Sequence, residues 1–214
     1  MSPLAIAYAL SVAFLSSIAS GGVFYVTHED ISTVSATYFG EVYDRDVLGW
    51  QRLAEQADGR VIFLTINSPG GSAYGGIDLY WEMEKYPYLV TTTSPYGAYS
   101  AAAIMWLAGD VRYIPDGGEV AFHAAYCWWD DGSDPDIGCD TSHFQLQLVA
   151  VLDDAGLDGD LFNITLNSIQ YLFGTDGWIL LWPGGDWYVW DSTEGWYLDF
   201  NPAYLLGEEE VYDH

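Results

Sequence analysis

The feature that most constrains the fold of this chain is an apolar strand that ends in a pair of glycines. Residues 61–66 are apolar and rich in β-branched side chains, and they lead through Asn67 into Ser68-Pro69-Gly70-Gly71. Proline fixes φ and removes a donor, whereas glycine permits positive φ and the close approach of other groups. Such a turn lets consecutive backbone N–H groups point at one spot, where they suit a developing oxyanion.

Strand and helix patterns alternate along most of the chain. Predicted strands cover residues 33–39, 61–66, 89–93, 111–114 and 119–123, and predicted helices cover residues 46–57, 75–86, 100–108 and 141–155. Alternation at this spacing predicts an α/β fold with a mainly parallel sheet and helices packed outside it. The composition agrees with a packed domain, because 50% of the 214 residues are hydrophobic and 17% are aromatic.

The charge balance limits the partners. The chain has 5 Lys and Arg residues against 31 Asp and Glu residues, which gives a net charge of −26 at pH 7. Five basic side chains are too few to neutralise the phosphates of a nucleic acid, which argues against nucleic-acid binding. They are also too few to form a basic patch that would attach to an anionic membrane surface. We interpret the acidity as a heavily hydrated surface rather than as a field that selects substrates.

The first nineteen residues have the composition of a targeting segment. Residues 4–18 are almost wholly apolar, and Ser17-Ile18-Ala19 suits cleavage after Ala19, although no Lys or Arg precedes the stretch. We interpret this segment first as a signal peptide, second as an uncleaved membrane anchor, and third as a strand or helix of the core. The first two predict a protein that is exported to the periplasm or beyond, or anchored in a membrane. The third predicts a cytoplasmic protein.

Two cysteines, Cys127 and Cys139, flank an acidic loop that contains glycine and proline. In an exported protein they predict a disulfide that closes this loop, whereas two unpaired thiols are expected if the N-terminus is not a signal. Two cysteines with no further ligands make a poor zinc site, so no metal is predicted.

The end of the chain is unusually aromatic. Tryptophan and tyrosine dominate residues 187–190 and 196–200, on either side of a polar turn, which predicts a hairpin. Its surface either contacts carbohydrate or peptide, or packs on the domain or on a neighbouring subunit. We therefore divide the chain into a signal peptide or anchor (1–19), an α/β domain (20–176), and an aromatic hairpin with an acidic tail (177–214).

A serine and a histidine follow the glycine turn. Ser100 lies at a strand-to-helix junction between small residues, where it could simply cap the helix, and His123 ends an apolar strand, where it could simply belong to the core. Together with Gly70-Gly71, however, they supply the oxyanion donors, the nucleophile and the base that acyl transfer requires.

Four segments, in this order, resemble the Clp protease proteolytic-subunit (ClpP) family, and they resemble its exported relatives even more. They are residues 66–72, 97–101, 107–113 and 120–123, within a similarity that spans residues 33–125. The resemblance implies the ClpP/crotonase-like fold, a spiral of β-β-α units. It also implies Ser100 as nucleophile and His123 as general base. The N–H groups of Gly71 and Ala101 would be the oxyanion donors, with Gly70 shaping the turn.

The third member of the family's catalytic triad has no clear counterpart. It is a carboxylate that follows the helix corresponding to residues 141–155, and the matching place near Tyr171 holds no Asp or Glu. Asp176 is the nearest candidate, and Asn163 or Asn167 could only orient the imidazole. A missing carboxylate would slow the reaction without removing the nucleophile or the oxyanion hole.

The resemblance thus implies a serine endopeptidase that acts on peptides or proteins through an acyl-enzyme, needs no cofactor and forms a homo-oligomer. One alternative is a catalytically degenerate ClpP-like binding or assembly module. Another is a crotonase-type acyl-CoA enzyme, for which five basic residues offer little to hold the CoA phosphates. A Ser–Lys dyad, as in related signal-peptide peptidases, would require the only lysine, Lys85, at Ser100, and nothing in the sequence places it there.

Overall fold

The computed structural model describes residues 21–125, 141–173, 177–181, 187–191 and 196–200. Several predictions fall outside these ranges: the targeting segment 1–19, Cys127 and Cys139, Asp176, and the acidic tail. Among the helices in the described ranges, none combines the length and the hydropathy that a membrane span requires.

Strands and helices alternate through the first half of the described chain. The strands are β1 Val23–Glu29, β2 Thr33–Phe39, β3 Val61–Ser68, β4 Val90–Tyr99, β5 Val111–Tyr113, β6 Val120–Phe122, β7 Gly177–Leu181, β8 Trp187–Asp191 and β9 Trp196–Phe200. The helices are α1 Val47–Ala57, α2 Ala73–Glu84, α3 Ala101–Leu107, α4 Ser142–Asp154 and α5 Gly159–Phe173, and a short 3-10 turn, Asp44–Asp46, precedes α1.

The described strands form one sheet of nine, which is parallel at its centre and antiparallel at both ends. Strands β2, β3 and β4 are parallel neighbours, and both β5 and β6 pair in parallel with β4. Strand β1 joins one end antiparallel to β2, and β7, β8 and β9 extend the other end beyond β6. The predicted α/β class is confirmed, and so is the hairpin, in which Trp187 lies opposite Phe200.

Alternating side chains explain how the sheet packs. In β2, Val34, Ala36 and Tyr38 are buried while their neighbours are partly exposed, and β3 repeats the pattern. Side chains of one face of a strand recur every second residue, so this face forms the core with the helices. Helix α3 is buried along its whole length. Its small residues admit α2 closely, since a β-carbon on Gly76 would lie 2.6 Å from the Ala101 carbonyl oxygen.

Strand β4 continues beyond its predicted end at residue 93. Its pairing with β3 shifts between Thr65 and Asn67, and its last residues then pair with β6, with Tyr99 opposite Ala121. Parallel neighbours end at the same edge of a sheet. The chain therefore leaves β4 into Ser100 and leaves β6 into His123 at neighbouring positions.

Candidate active site

Ser100 lies in a sharp turn between β4 and α3. Its φ is 56° and its ψ is −121°, a conformation that a residue with a side chain rarely adopts and that costs about 1–3 kcal/mol. The Ser100 N–H donates to the Ala121 carbonyl oxygen at 2.8 Å, and its own carbonyl oxygen accepts from the Ala103 N–H at 2.9 Å. These hydrogen bonds tie the turn to β6 and to the first turn of α3.

The glycine turn after β3 packs against the Ser100 turn. Gly70 has a φ of +94°, and a β-carbon there would lie 2.6 Å from the Ser100 Cβ. Gly71 pairs with Val42, and a β-carbon on Gly71 would lie 2.3 Å from the Val42 carbonyl oxygen. The Val42 N–H donates to the Gly70 carbonyl oxygen, and the Ser72 N–H donates to the Val42 carbonyl oxygen, both at 2.8 Å. Both positions therefore require glycine for close approach.

Two backbone N–H groups, of Gly71 and Ala101, are available beside the serine. Within the described part of the chain neither donates a hydrogen bond, whereas the Gly70 N–H donates to Ser68 Oγ at 3.1 Å. The two turns are close, because a β-carbon on Gly70 would lie 3.2 Å from the Ala101 nitrogen. Paired N–H groups beside a hydroxyl have the composition of an oxyanion hole.

His123 follows β6 and is partly buried. Its Nδ1 lies 2.8 Å from the Ala124 carbonyl oxygen. A carbonyl oxygen only accepts, so Nδ1 carries the proton and Nε2 keeps the lone pair that a general base needs. Burial lowers the pKa of His123, and the hydrogen bond to Ala124 opposes that shift. No hydrogen bond joins His123 to Ser100 Oγ in this structure; such contacts often tighten only when substrate binds.

The two asparagines considered for the third triad position are engaged elsewhere. The Asn167 side-chain nitrogen donates to the Asn163 carbonyl oxygen at 2.8 Å, and Asn167 Oδ1 accepts from Gln145 at 3.3 Å. Helix α5 contributes apolar contacts to this region instead: Phe162 packs edge-on against Phe122, with 5.2 Å between ring centroids. The asparagine alternative is therefore not supported, and Asp176 lies outside the described residues.

The glycine turn, the Ser100 turn and His123 all line one cavity of about 690 Å³. It is lined by the predicted residues Gly70, Gly71, Ser100, Ala101 and His123. Apolar side chains from the helices, from β6 and from β7 form much of the remaining wall: Ile104, Phe122, Phe144, Leu148, Leu166 and Trp178. Glu41, Ser72, Tyr74 and Thr141 add polar groups.

The sequence reasoning missed two of the lining residues that bear on chemistry, Glu41 and Trp178. Trp178 opens the aromatic C-terminal segment, but only the pairing of β7 with β6 brings it to the site. Glu41 adjoins Val42, whose pairing with Gly71 brings this stretch beside the glycine turn. Lys85, by contrast, lies at the end of α2, where its Nζ is 2.6 Å from the Glu82 carboxylate, and it does not line the cavity.

Comparison with known proteins agrees with this architecture. A model of the Clp protease family matches residues 47–130. A mutant of the membrane-bound stomatin-specific protease 1510-N is similar in structure, with a TM-score of 0.55 and 13% identity over 66% of this chain and 72% of that chain. A mutant of ClpP1 from Listeria monocytogenes gives a TM-score of 0.50 and 15% identity over 69% of this chain and 82% of that chain. No curated protein matches the chain by sequence.

At these identities the structural likeness shows the fold alone. With the family match to the central segment, it confirms the resemblance to the Clp protease family that the four sequence segments indicated and supports a peptidase in general. The closer likeness to exported relatives stays a prediction.

Proposed function

From this likeness to the Clp protease family we propose that the chain is a serine peptidase that cleaves peptides through an acyl-enzyme at Ser100. The observation that carries the proposal is the contact between the glycine turn after β3 and the Ser100 turn before α3, which line one cavity. Gly70 packs against Ser100, and the cavity they line also holds His123. Nucleophile, base and paired N–H donors are the parts that acyl transfer requires.

The proposed reaction has two steps. In the first, His123 Nε2 takes the proton of Ser100 Oγ while the oxygen attacks the carbonyl carbon of the scissile bond. The N–H groups of Gly71 and Ala101 stabilise the oxyanion, and the proton passes from His123 to the leaving amine. In the second, His123 takes a proton from water, the resulting hydroxyl attacks the acyl-enzyme, and Ser100 regains its proton as the acid leaves.

The Ala124 carbonyl oxygen helps to orient the proposed base, His123. It accepts from His123 Nδ1 and so keeps the proton on the nitrogen that faces away from the reaction.

A catalytically degenerate binding module is the second candidate. The observation that favours it is the absence of a hydrogen bond between the described Ser100 hydroxyl and His123. A crotonase-type acyl-CoA enzyme is disfavoured, because no Lys or Arg is among the described residues that line the cavity.

Labelling with a fluorophosphonate probe tests the proposal. We expect the native chain to be labelled and Ser100→Ala to show none, with a loss of about a hundredfold or more in His123→Ala. Ser35→Ala, a serine of β2 away from the cavity, is the matched control and should label normally. A folded wild-type chain that is neither labelled nor able to hydrolyse peptides would contradict the peptidase and favour the binding module.

Two further proposals concern assembly and location. We propose self-association, which size-exclusion chromatography with light scattering would test; a monomer at all working concentrations would contradict it. We also propose export directed by residues 1–19, and sequencing the N-terminus of the protein from fractionated cells would test it. An intact N-terminus in the cytoplasmic fraction would contradict export.

A further inference from the structure

We propose that Trp178 is a positioning residue for His123, and that its indole holds the imidazole in place and keeps water from one side of it. The two ring centroids lie 4.3 Å apart, with an angle of 54° between the planes. Both side chains line the cavity that holds Ser100. This inference rests on the proposed function, since it names a support for the base in that same site.

The contact follows from the register of two strands. Strand β7 pairs antiparallel with β6, and the last pair places Ile179 opposite Phe122. The next residues beyond this pair are His123, which follows β6, and Trp178 of β7, and their rings are in contact. Side chains directly opposite each other on neighbouring strands are close enough to pack, so the fold itself brings the indole to the imidazole.

A second aromatic contact holds the indole from another side. Tyr99 meets Trp178 edge-on, with 6.3 Å between centroids and 89° between planes. The Tyr99 hydroxyl donates to the Glu119 carboxylate, which fixes that ring in turn. Because Tyr99 immediately precedes Ser100, Trp178 contacts both the proposed base and the strand that leads to the proposed nucleophile.

This position suits both protonation states of the base. While His123 is neutral, its hydrogen bond to Ala124 fixes one ring atom, and contact with Trp178 restricts rotation of the rest of the ring. When His123 takes the Ser100 proton it becomes a cation, and an aromatic face attracts a cation. The indole thereby supplies part of the orientation and stabilisation of the proposed base.

The test compares Trp178→Leu and Trp178→Phe with the matched control Trp81→Leu, a tryptophan of α2 that does not line the cavity. Hydrolysis of a fluorogenic peptide is measured across pH. The pKa of His123 is measured by NMR in a Ser100→Ala background. We expect Trp178→Leu to lower kcat about tenfold or more, with a smaller change in KM, and Trp178→Phe to retain more activity because it keeps a ring.

The pH readout separates positioning from simple loss of structure. Removing the indole has two opposing effects on the pKa of His123: it admits water, which raises the pKa, and it removes the attraction to the imidazolium, which lowers the pKa. Because burial is the largest cause of the lowered pKa, we expect the first effect to dominate and the acid limb of kcat/KM to move to higher pH. Among the described residues, the titratable groups near the imidazole are Tyr99 and Glu119 beside Trp178, and Glu41 and Tyr74 in the lining of the cavity. All four are unchanged in each variant.

The outcomes are distinct. If the wild type hydrolyses peptides while both Trp178 variants keep the kcat and the His123 pKa of Trp81→Leu, the positioning role is overturned and the proposed function stands. If Trp178→Leu does not fold, Trp178→Phe decides, and wild-type values of both quantities in that variant overturn the role. A wild type that is neither labelled by a fluorophosphonate nor active overturns the proposed function itself.

Discussion

Gly70 lies directly against the turn of Ser100. A β-carbon on Gly70 would come within 2.6 Å of the Ser100 Cβ and 2.5 Å of the Tyr99 carbonyl oxygen. Carbon atoms in ordinary contact stay about 3.5–4.0 Å apart. This contact joins the turn after β3 to the turn before α3, so the geometry of the proposed nucleophile depends on a residue with no side chain.

Replacing this glycine should therefore damage the site as well as the fold. Gly70→Ala should cost more than the roughly 1–2 kcal/mol of a positive φ alone and should reduce fluorophosphonate labelling at least about tenfold. Gly117→Ala is the matched control, since Gly117 has a φ of +82° and nothing within 4 Å of its β-carbon position. Urea unfolding and labelling rates measure both effects. Equal stability losses with normal labelling in both variants would contradict the argument.

A buried carboxylate, Asp46, supports the glycine turn after β3. Asp46 accepts from the Tyr38 hydroxyl at 2.7 Å and from the Tyr43 N–H at 2.8 Å. It thus holds the stretch containing Val42, which donates to Gly70. Asp46→Ala leaves both donors without this partner and should cost about 1–3 kcal/mol, with slower labelling. Tyr38→Phe removes one of the two hydrogen bonds and should cost less. A larger loss in Tyr38→Phe than in Asp46→Ala would refute this ordering.

The lowered pKa of His123 predicts how activity depends on pH. Burial, the larger cause, favours the neutral imidazole, so the pKa in the folded protein lies below 6.5. We expect the acid limb of kcat/KM to have its midpoint below that value. A midpoint at or above 6.5 in the wild type, assigned to His123 by NMR, would contradict the prediction.

The same shift makes a prediction for stability. Below pH 6.5 the unfolded chain binds a proton at this histidine before the folded chain does, so stability falls as the pH drops through that window. The free energy of unfolding should therefore decline less steeply in His123→Gln than in the wild type between about pH 5 and 6.5. Identical slopes would show that His123 contributes nothing to this decline.

The centre of the fold could be predicted because each element carries its own pattern. The apolar run at 61–66 is strand Val61–Ser68, and the amphipathic run at 141–155 is helix Ser142–Asp154. Strand β1 was missed because its sequence does not alternate between apolar and polar residues: the exposed Val23 and Tyr25 are as apolar as the partly buried Phe24 and Val26. Strand β7 was missed because its place depends on pairing with β6, distant in sequence.

Some residues of the candidate site could be predicted from the sequence and others could not. The local sequence identifies Ser100 and the Gly70-Gly71 turn, because small residues and glycine stand at the ends of strands. The structure places both in one cavity with His123. Trp178 carries no local mark of its position, since it is one of 10 tryptophans. Its relation to His123 arises only when the β6–β7 register is known. Local chemistry was thus readable from the sequence, and its supporting contacts were not.

Glu41 predicts a preference among substrates. It is the only Asp, Glu, Lys or Arg among the described residues that line the cavity, and its carboxylate accepts from the Tyr43 hydroxyl at 2.6 Å. In a chain of net charge −26, a peptide with Lys beside the scissile bond should be cleaved about 3–10-fold more efficiently than one with Glu. The preference should weaken as salt is added, because Glu41 is exposed and screened.

Charge-matched variants separate the local carboxylate from the overall field. Glu41→Gln and Glu55→Gln remove the same charge, but Glu55 lies on α1 and does not line the cavity. We expect Glu41→Gln to lose most of the Lys-over-Glu ratio in kcat/KM and Glu55→Gln to keep it, since a single exposed charge among 31 acidic residues changes the long-range field little. Equal Lys-over-Glu ratios in the two variants would assign the preference to the overall field of the chain. Equal cleavage of both peptides by the wild type would contradict the predicted preference itself.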